Sequence, residues 1–472
     1  MVFNKSIKYL DNQYLVNWIN FWVFIFSITV IGLNHYSGIS AIVLTATMIF
    51  IFYSKNHRIS KYKLAKNEII FLVLLILFWM NSILSTFFQP KDVEFTNLGM
   101  AISAIDNPMR WLFMLPIFFL LRRYKLDWRL VSIGLSIGVF ISVFIAMYEV
   151  YFLGYTRATG GMNNIIIFGE LMVVADMLLW VFMIYAWNKG KKLLAIFLLI
   201  ASLFAFYGSL LSVTRGAWLV YFFMIITIII YTVKRGFSQK KYFFSKPFLI
   251  RVMLTIIVFF IVSQTPQYNT IQGKTLNTIS YLASKGNSNI WGSEGTRIDI
   301  FRTAIEIGRN FPFGVGSDNF QNGAQAIIIK HAVNSSNFIQ VRNEDNSLIP
   351  LDKLKANIHN FKYLESFNKD GSIIFTSKMM HAHNEWFNVF AENGFLGFIL
   401  LTLLFVFPFI IFWSNLKHKN ELVGMYSLCG ILHLVSFAIF GQTHSIFSSH
   451  ATLIFFVFFL YLFTSQIFKL TR

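Results

Sequence analysis

Residues 69–88 read IIFLVLLILFWMNSILSTFF, a run of twenty positions without a charged side chain. A helix needs about 20 mainly apolar residues to cross the hydrocarbon core of a bilayer. The rest of the 472-residue chain is similar, since 56% of it is hydrophobic, 13% is charged and its mean hydropathy is +0.60. Because a soluble chain carries about 25% charged residues, this composition excludes a soluble globular protein and predicts an all-α protein that crosses a membrane many times.

Apolar stretches of this kind recur along the whole chain. Those at 109–121 and 250–264 are short and need tilt or flanking residues to cross. The stretch at 15–33 is too long for the apolar region of a signal peptide and has no small-residue cleavage site, so we expect it to be retained. We predict about twelve transmembrane helices, near residues 15–33, 38–54, 69–88, 109–121, 130–150, 165–187, 193–211, 216–233, 250–264, 384–413, 423–440 and 451–467.

The net charge of +19 is distributed in a pattern that predicts topology. Lysines and arginines lie in short runs in every second loop, which is typical of cytoplasmic loops and of contact with anionic lipids. A nucleic-acid-binding protein would instead collect them on one soluble face. We therefore predict that both termini are cytoplasmic, that the partners include membrane lipids and that no nucleic acid is bound. Of the 40 lysines and arginines, 24 belong to this predicted cytoplasmic side: Lys5, Lys8, Lys55, Arg58, Lys61, Lys63, Lys66, Arg122, Arg123, Lys125, Arg129, Lys189, Lys191, Lys192, Lys234, Arg235, Lys240, Lys241, Lys246, Arg251, Lys417, Lys419, Lys469 and Arg472.

One connection on the outer side is long, at residues 265–383. Thr296 to Asp299 resemble a capping box that opens a helix. An apolar stripe of Ile298, Phe301, Ala304, Ile305 and Gly308 follows, and the turn residues at 311–317 would end the helix. We predict three parts: helices 1–9 at 1–264, a partly helical periplasmic loop domain at 265–383, and helices 10–12 at 384–472.

Two arginines face the outer side in this topology, against the orientation rule. Arg215 lies in the turn LSVTRGAW at 211–218, where an unpaired guanidinium costs at least about 2.5 kcal/mol. It either extends to lipid headgroups or binds an anion in a cavity open to the outside. Arg157 lies in another outer turn, beside Gly160 and Gly161, and is either a surface residue or a weaker anion ligand.

Two more arginines belong to the predicted loop helix. Arg297 and Arg302 are five residues apart, which places their side chains roughly 140° apart around a helix, so they cannot both bind one small anion. Arg297, in the predicted first turn beside unpaired backbone N–H groups, is the better anion ligand. Arg302 is expected to pair with Asp299 or Glu306.

The segment His381-Ala382-His383-Asn384-Glu385 stands where the outer loop returns to the membrane. The spacing predicts that His383 continues the helical face formed by Phe387, Phe390 and Gly394. A neutral imidazole there could accept a proton from a hydroxyl group near pH 7, or both histidines could make ordinary hydrogen bonds at the interface. The pair could also bind a metal, but no cysteine or third histidine is near in the sequence, so we predict neither a metal nor a cofactor.

Taken together, three of these segments resemble the O-antigen ligase family, which includes O-antigen polymerases and bacterial protein O-oligosaccharyltransferases. One resembles the family's Ser-x-x-Arg-Gly-Ala element, one its arginine helix followed by Pro-x-x-Gly-x-Gly, and one its His-x-His-Asn…Glu-x-Gly-x-x-Gly signature. Arg157–Gly160 is similar to a weaker family element. The three segments are Leu211–Trp218, Gly295–Phe320 and His381–Gly397.

The resemblance implies a GT-C-like enzyme that moves a glycan from undecaprenyl diphosphate to an acceptor hydroxyl at the outer face of the bacterial inner membrane. It implies that Arg215 and Arg297, with Arg157 as a third residue, bind the diphosphate. His383 would be the catalytic base. The secondary candidates are His381, Arg302 and Asn384.

The acceptor is not fixed by these residues. The family's protein-transferring branch often has longer outer regions than residues 265–383, so the resemblance favours the lipid A-core oligosaccharide, which is the acceptor of an O-antigen ligase. A repeat-unit polymerase and a protein (pilin) O-oligosaccharyltransferase remain alternatives. A twelve-helix transporter is less well supported, because its longest connection would be a central cytoplasmic linker and its halves would repeat. A polysaccharide-binding membrane protein would also fit if Arg215 and His383 were inert.

Overall fold

The computed structural model describes residues 2–33, 36–53, 64–93, 98–235, 246–264, 273, 293–334, 340–342, 347–350, 364–367 and 373–472. The basic residues Lys55, Arg58, Lys61, Lys63, Lys240 and Lys241, and much of the predicted outer loop, lie outside these ranges. The fifteen main helices of the described ranges are α1 (Val2–Gly32), α2 (Ser37–Tyr53), α3 (Lys66–Phe87), α4 (Leu98–Phe113), α5 (Leu115–Arg123), α6 (Trp128–Tyr151), α7 (Ile165–Asn188), α8 (Lys192–Ser212), α9 (Arg215–Arg235), α10 (Lys246–Ser263), α11 (Ser293–Asn310), α12 (Phe320–Asn334), α13 (Glu385–Asn415), α14 (Glu421–Phe440) and α15 (His450–Leu470).

The helices reproduce the predicted spans. Within the described ranges, nine helical segments are long and apolar enough to cross a membrane, and three shorter apolar segments accompany them, Ser37–Tyr53, Arg215–Thr227 and Leu249–Ser263. Each predicted span coincides with one of these segments, and the span at 109–121 is divided between α4 and α5 by a turn at Met114. The prediction of an all-α, multi-pass membrane protein is confirmed.

Two helices form the centre of the bundle. The apolar window of α15 is entirely buried and that of α7 is 89% buried, whereas half or more of the corresponding window of α3 faces outward. Phenylalanine rings supply much of the packing; Phe26 of α1, for example, stacks on Phe458 of α15 at 3.8 Å between ring centroids. A helix that is apolar on all sides is expected at such a position.

One of the basic residues assigned to a loop lies inside the bundle instead. Arg251 belongs to α10 and is 3% exposed, because Asp176 in the middle of α7 binds it through both carboxylate oxygens at 2.7 and 2.8 Å. Its Nε also donates to Ser202 at 2.9 Å, and Tyr221 donates to Asp176 at 3.0 Å. Pairing and hydrogen bonding compensate for removing both charges from water, so the prediction that Arg251 lies in the loop was wrong.

The part outside the helix bundle has its own core. The helices α11 and α12 pack with a three-stranded antiparallel sheet of β1 (Gln340–Arg342), β2 (Glu365–Phe367) and β3 (Ile373–Thr376), in the order β1-β2-β3. Val341 pairs with Ser366, and Ser366 with Phe375. The buried side chains include Ile300, Ala304, Ile307, Phe320, Ile327 and Phe375.

The predicted loop helix is present as α11, with two corrections. It begins at Ser293 rather than at Thr296, because a glycine such as Gly295 costs a helix only about 1 kcal/mol and does not stop it. Its buried face carries Ile300, Thr303, Ala304 and Ile307, while Ile298 is 50% exposed. The helix ends at Asn310, directly before the turn residues that predicted its end.

The turn after α11 is bonded to a break in α13. At Gly394 the backbone has φ 70° and ψ −171°, so the helical hydrogen-bond ladder is interrupted. The N–H of Val315 donates to the carbonyl of Ala391 at 3.1 Å, and that of Gly316 to Glu392 at 2.8 Å. The Pro312 carbonyl accepts from Phe395 at 3.1 Å. These bonds satisfy the groups left by the break and fix the outer part onto the start of α13.

Candidate active site

Several connections between helices meet at one end of the bundle. The turn after α6 bonds to the end of α8, where Ala158 N–H donates to the Leu211 carbonyl at 3.0 Å. A Cβ atom on Gly216, in the first turn of α9, would lie 3.0 Å from Thr443 Oγ1. Glu385, the first residue of α13, donates its N–H to the Gly441 carbonyl at 2.7 Å. The turns that carry Arg157, Arg215 and the histidine segment are therefore in contact.

Three histidines form a cluster at this end. The ring centroids of His381 and His383 are 4.5 Å apart, and those of His381 and His444 are 6.1 Å apart. The Nδ1 atoms of His381 and His383 are buried and have no hydrogen-bond partner among the described residues. Buried imidazole nitrogens that lack partners are uncommon in folded proteins, and here they mark a place where a ligand group could bind.

The prediction that His383 extends the face of the returning helix was wrong. The helix α13 begins at Glu385, and Asn384 is its N-cap, accepting from the N–H of Phe387 at 3.1 Å. His383 precedes the cap and has φ +51°, in the left-handed region. An N-cap residue takes an extended backbone conformation, so the chain direction changes before the helix begins and the ring does not follow the stripe.

The environment of His383 keeps it neutral. Burial lowers the pKa of this imidazole to about 4, and the nearby groups His381, Arg297 and His444 act in the same direction. Burial likewise lowers the pKa of His381 to about 4, with His444 as the next cause. Each ring is half or more removed from solvent, where the charged form is disfavoured. At neutral pH, His383 is therefore an unprotonated base.

His444 differs from the other two rings because a carboxylate faces it. Its Nδ1 lies 3.5 Å from Oε2 of Glu170, and both side chains are buried, at 6% and 1% exposure. Burial opposes protonation, but Glu170 and Glu385 outweigh it and raise the pKa of His444 above its ordinary value. The cluster thus joins two rings with lowered pKa values to one whose pKa is raised.

Arg215 and Arg157 lie on neighbouring turns. Arg157 donates from Nε to the Ser212 carbonyl at 2.9 Å and from Nη2 to that of Val213 at 3.5 Å. Burial and the charge of Arg215 both lower the pKa of Arg157. Val213 has φ 55°, and this left-handed cap ends α8 just before Arg215 opens α9. Arg157 therefore supports the turn that presents Arg215.

The two arginines of α11 separate as predicted. Arg302 lies 3.6 Å from Asp299 and donates to the Ile373 carbonyl at 3.3 Å, so it binds its own helix and the sheet. Arg297 contributes its positive charge to the lowered pKa of His383 and opposes the raised pKa of His444. Arg297 is not in the first turn of the helix, because α11 begins four residues earlier; its side chain, rather than free backbone N–H groups, is what it can offer an anion.

Asn384 has a structural position. In addition to capping α13, its Nδ2 donates to the carbonyl and the side chain of Gln442, at 3.3 and 3.2 Å. Both the oxygen and the nitrogen of its side-chain amide are hydrogen-bonded within the protein. The position of Asn384 is therefore explained without a contact to a substrate. His381 stands between His383 and His444, in contact with both rings.

Three residues of the cluster were not found from the sequence. Glu170 lies one turn inside α7, Glu385 opens α13, and His444 lies in the turn after α14. A carboxylate within a predicted span is a recognised sign of function, so Glu170 could have been singled out. Its pairing with His444, 274 positions further along the chain by their residue numbers, depends on how α7 and α14 pack.

No group of three or more histidine, cysteine, aspartate or glutamate side chains within the described ranges has an arrangement that could hold a metal ion. The cationic groups at this end are instead the guanidinium groups of the arginines. Arginine binds planar phosphate oxygens through two parallel hydrogen bonds. The arrangement can therefore bind an anion with several oxygens beside a neutral base.

Comparison with known proteins agrees with this chemistry. Residues 200–349, about a third of the chain, match the family model described as O-antigen ligase. This match supports a relationship with the O-antigen ligase family. The matched segment contains Arg215, Arg297 and Arg302, whereas Arg157 and His383 lie outside it.

An uncharacterized protein of Haemophilus influenzae is 23% identical over 445 residues, which is 93% of this chain and 96% of that protein. The description of that relative names no activity. The O-antigen ligase family implies a membrane-embedded enzyme of the glycosyltransferase type, and the resemblance drawn from the sequence motifs is confirmed at the level of the family.

Proposed function

We propose that this protein transfers a glycan from undecaprenyl diphosphate to a hydroxyl of the lipid A-core oligosaccharide, as an O-antigen ligase, at the periplasmic face of the inner membrane. The observation that supports this most strongly is the cluster of His381, His383 and His444, with ring centroids 4.5 and 6.1 Å apart, at the end of the bundle where the turns that carry Arg157 and Arg215 meet. A base beside cations is what glycan transfer from a diphosphate needs.

The arginines act on the leaving group. As the bond between the anomeric carbon and the diphosphate oxygen breaks, its electron pair moves onto the diphosphate. Guanidinium groups fixed in a poorly hydrated site stabilise this charge without rearranging during the reaction. Arg215 and Arg297 bind the diphosphate oxygens, and Arg157 positions Arg215 through the turn at Ser212 and Val213.

His383 acts on the acceptor. It takes the proton of the acceptor hydroxyl while the oxygen of that hydroxyl forms the new bond to the anomeric carbon. A positioned histidine base contributes typically about 10²–10⁴-fold to the rate. His444, whose Nδ1 lies 3.5 Å from Glu170, lies on the other side of His381, and positive charge on it lowers the pKa of His383 further.

Two other acceptors would use the same chemistry. A second lipid-linked repeat unit would make the protein a polymerase, and a serine or threonine of a pilin-like protein would make it an O-oligosaccharyltransferase. The surface glycans of a deletion strain separate the three. Loss of O-antigen from lipid A-core supports the ligase, a single-repeat glycoform the polymerase, and unglycosylated pilin the protein transferase.

The purified protein carrying His383→Ala tests the proposal directly. With an undecaprenyl diphosphate-linked glycan and lipid A-core as substrates, we expect transfer to fall by about 10²-fold or more, because the acceptor hydroxyl loses its base. His331→Ala is the matched control, since His331 is exposed on α12 and its ring contacts Phe375 instead of the cluster. Wild-type transfer by His383→Ala, in a protein of normal yield and elution volume, would disprove the assignment of the base.

A further inference from the structure

A recess lies at the opposite end of the bundle from the histidine cluster. It has a volume of about 910 Å³ and is enclosed by α1, the start of α6, the turn between α7 and α8, and the start of α14. The 24 residues of α7 connect the two ends, and at 1.5 Å per residue they span about 36 Å. The recess therefore lies at the other boundary of the membrane-spanning region.

The rim of this recess is basic. It includes Lys125, Arg129 and Lys191, with one acidic residue, Asp127. Asp127 is bound by Arg129 at 2.6 Å, and this pair leaves the two lysines in excess. Neither lysine forms a salt bridge with a carboxylate in the described part of the chain. Both are exposed, so the rim presents a net positive charge to an anion.

The charge of Asp127 is felt by two neighbouring cations of the rim. Although burial opposes the shift, Arg129 and, more weakly, Lys191 lower the pKa of Asp127. The backbone of Lys125 is fixed on the other side, where its carbonyl accepts from the side chain of Asn20 at 3.2 Å. Asn20 in turn accepts from the N–H of Asp127 at 2.8 Å. Hydrogen bonds between α1 and the start of α6 thus fix this rim.

The floor of the recess is apolar. Phe21 and Phe24 of α1 line it, together with Leu130 of α6. Phe24 is eleven residues beyond Gln13, the most N-terminal of the lining residues, and this corresponds to about 16 Å along a helix. Phe21 is 50% exposed. The recess therefore changes from charged to aromatic along the direction in which a lipid changes from headgroup to acyl chain.

We propose that this recess binds an anionic glycerophospholipid. The phosphate and headgroup lie between Lys125 and Lys191, and one acyl chain lies along Phe21, Phe24 and Leu130. The charge of the rim favours an anionic headgroup over a zwitterionic one, and the apolar floor favours a lipid over a free phosphate. The proposal does not depend on transferase activity.

Native mass spectrometry of the full-length protein, with phosphatidylglycerol or phosphatidylcholine added in detergent, tests this proposal. We expect one phosphatidylglycerol to be retained about tenfold more strongly than phosphatidylcholine, since each lysine near the surface attracts anionic lipid. The variant Lys125→Gln/Lys191→Gln should lose this difference. The control Lys417→Gln/Lys419→Gln removes the same charge from exposed residues between α13 and α14 and should keep it.

The proposal would be overturned if the wild type retained the two lipids equally, or if the control lost the preference as fully as the double variant does. It would also be overturned if glycerol phosphate, which has the headgroup chemistry without the acyl chain, stabilised the protein against heat as much as phosphatidylglycerol does. If the double variant does not fold, Lys191→Gln alone should show an intermediate preference. Phe24→Ala should weaken both lipids and leave the preference for the anionic one unchanged.

Discussion

His383 combines two unusual properties, a left-handed backbone at φ +51° and a pKa lowered to about 4. A residue other than glycine in such a conformation costs about 1–3 kcal/mol, so the surroundings must hold it there. The cap at Asn384 and the bond from Ala382 N–H to Asn388 at 2.9 Å do so on either side. The strain is thus stored beside the ring that we propose to be the base.

The lowered pKa of His383 predicts the pH dependence of transfer. A general base acts in its unprotonated form, and this form dominates above the pKa. We expect kcat/KM to be constant from neutral pH downward and to fall as the pH falls through about 4, rather than through the ordinary value near 6.5. His444→Gln removes a nearby group that lowers the pKa of His383, so the fall in kcat/KM should then occur at a higher pH. A wild-type limb between pH 6 and 7 would contradict the assignment.

Arg215→Lys tests whether geometry or charge matters at the diphosphate. A lysine keeps the charge but cannot form two parallel hydrogen bonds to phosphate oxygens. We expect transfer to fall by at least about tenfold, nearly as far as in Arg215→Ala, because bidentate recognition is lost.

Arg302→Lys is the matched control for this substitution, because Arg302 contacts Asp299 and the Ile373 carbonyl instead of the site. It should keep most of its activity. Full activity of Arg215→Lys, or an equal loss in both variants, would show that the assignment to the diphosphate is wrong.

At the scale of single elements, the break in α13 fixes the outer part on the bundle. A Cβ atom on Gly394 would contact the carbonyl oxygen of Pro312 and would lie 2.7 Å from the carbonyl carbon of Phe313, and φ is 70°. Only glycine adopts this backbone without strain. The same contact fixes α11, which carries Arg297, relative to the segment that carries His383.

Gly394→Ala should therefore lower both stability and transfer. We expect a loss of about 1–3 kcal/mol in the free energy of unfolding, seen as a lower thermal midpoint, together with reduced kcat. Gly190→Ala is the control, because Gly190 has a similar φ of +74° and a Cβ atom there would contact nothing within 4 Å. If the two variants lose equal stability and both retain kcat, the contact with Pro312 and Phe313 has no role in positioning α11.

The sequence predicts some secondary-structure elements of this protein better than others. Long uncharged runs such as 69–88 identify helices reliably, because no other structure satisfies the backbone within a bilayer. The predicted start of α11 differs by three residues from the observed one, because the pattern of a capping box at Thr296–Asp299 also occurs within a helix that begins at Ser293. The strands β1 to β3 have only three or four residues each, too few for an alternating pattern to be recognised.

The candidate site shows the same limit. Arg215, Arg297 and His383 were identifiable because each stands in an unusual local context. The signal for the cap was also present, since Asn384 precedes Glu385 in a typical N-cap position, and it would have placed His383 outside α13. The pairing of Glu170 with His444 was not accessible, because it arises only when α7 and the turn after α14 pack together.

For the whole molecule, the proposed mechanism requires no metal ion. The positive charge at the diphosphate comes from guanidinium groups, and these do not dissociate in a chelator. We expect transfer by purified protein to be unchanged, within about twofold, after dialysis against EDTA, because arginines alone can stabilise the leaving group. The control is a Mg²⁺-dependent glycosyltransferase treated in parallel. A loss that added Mg²⁺ restores would refute arginine-only catalysis.

The buried pair of Asp176 and Arg251 has a consequence for biogenesis. The two residues are 75 positions apart, so α7 and α8 leave the ribosome well before α10. An arginine that enters a bilayer alone is costly, whereas one that enters beside a carboxylate, a serine hydroxyl and the rings of Trp180 and Phe206 is already solvated by protein. The short α10 is thus suited to insert against helices that are already in place, with Asp176 as the ion-pair partner for Arg251 during synthesis.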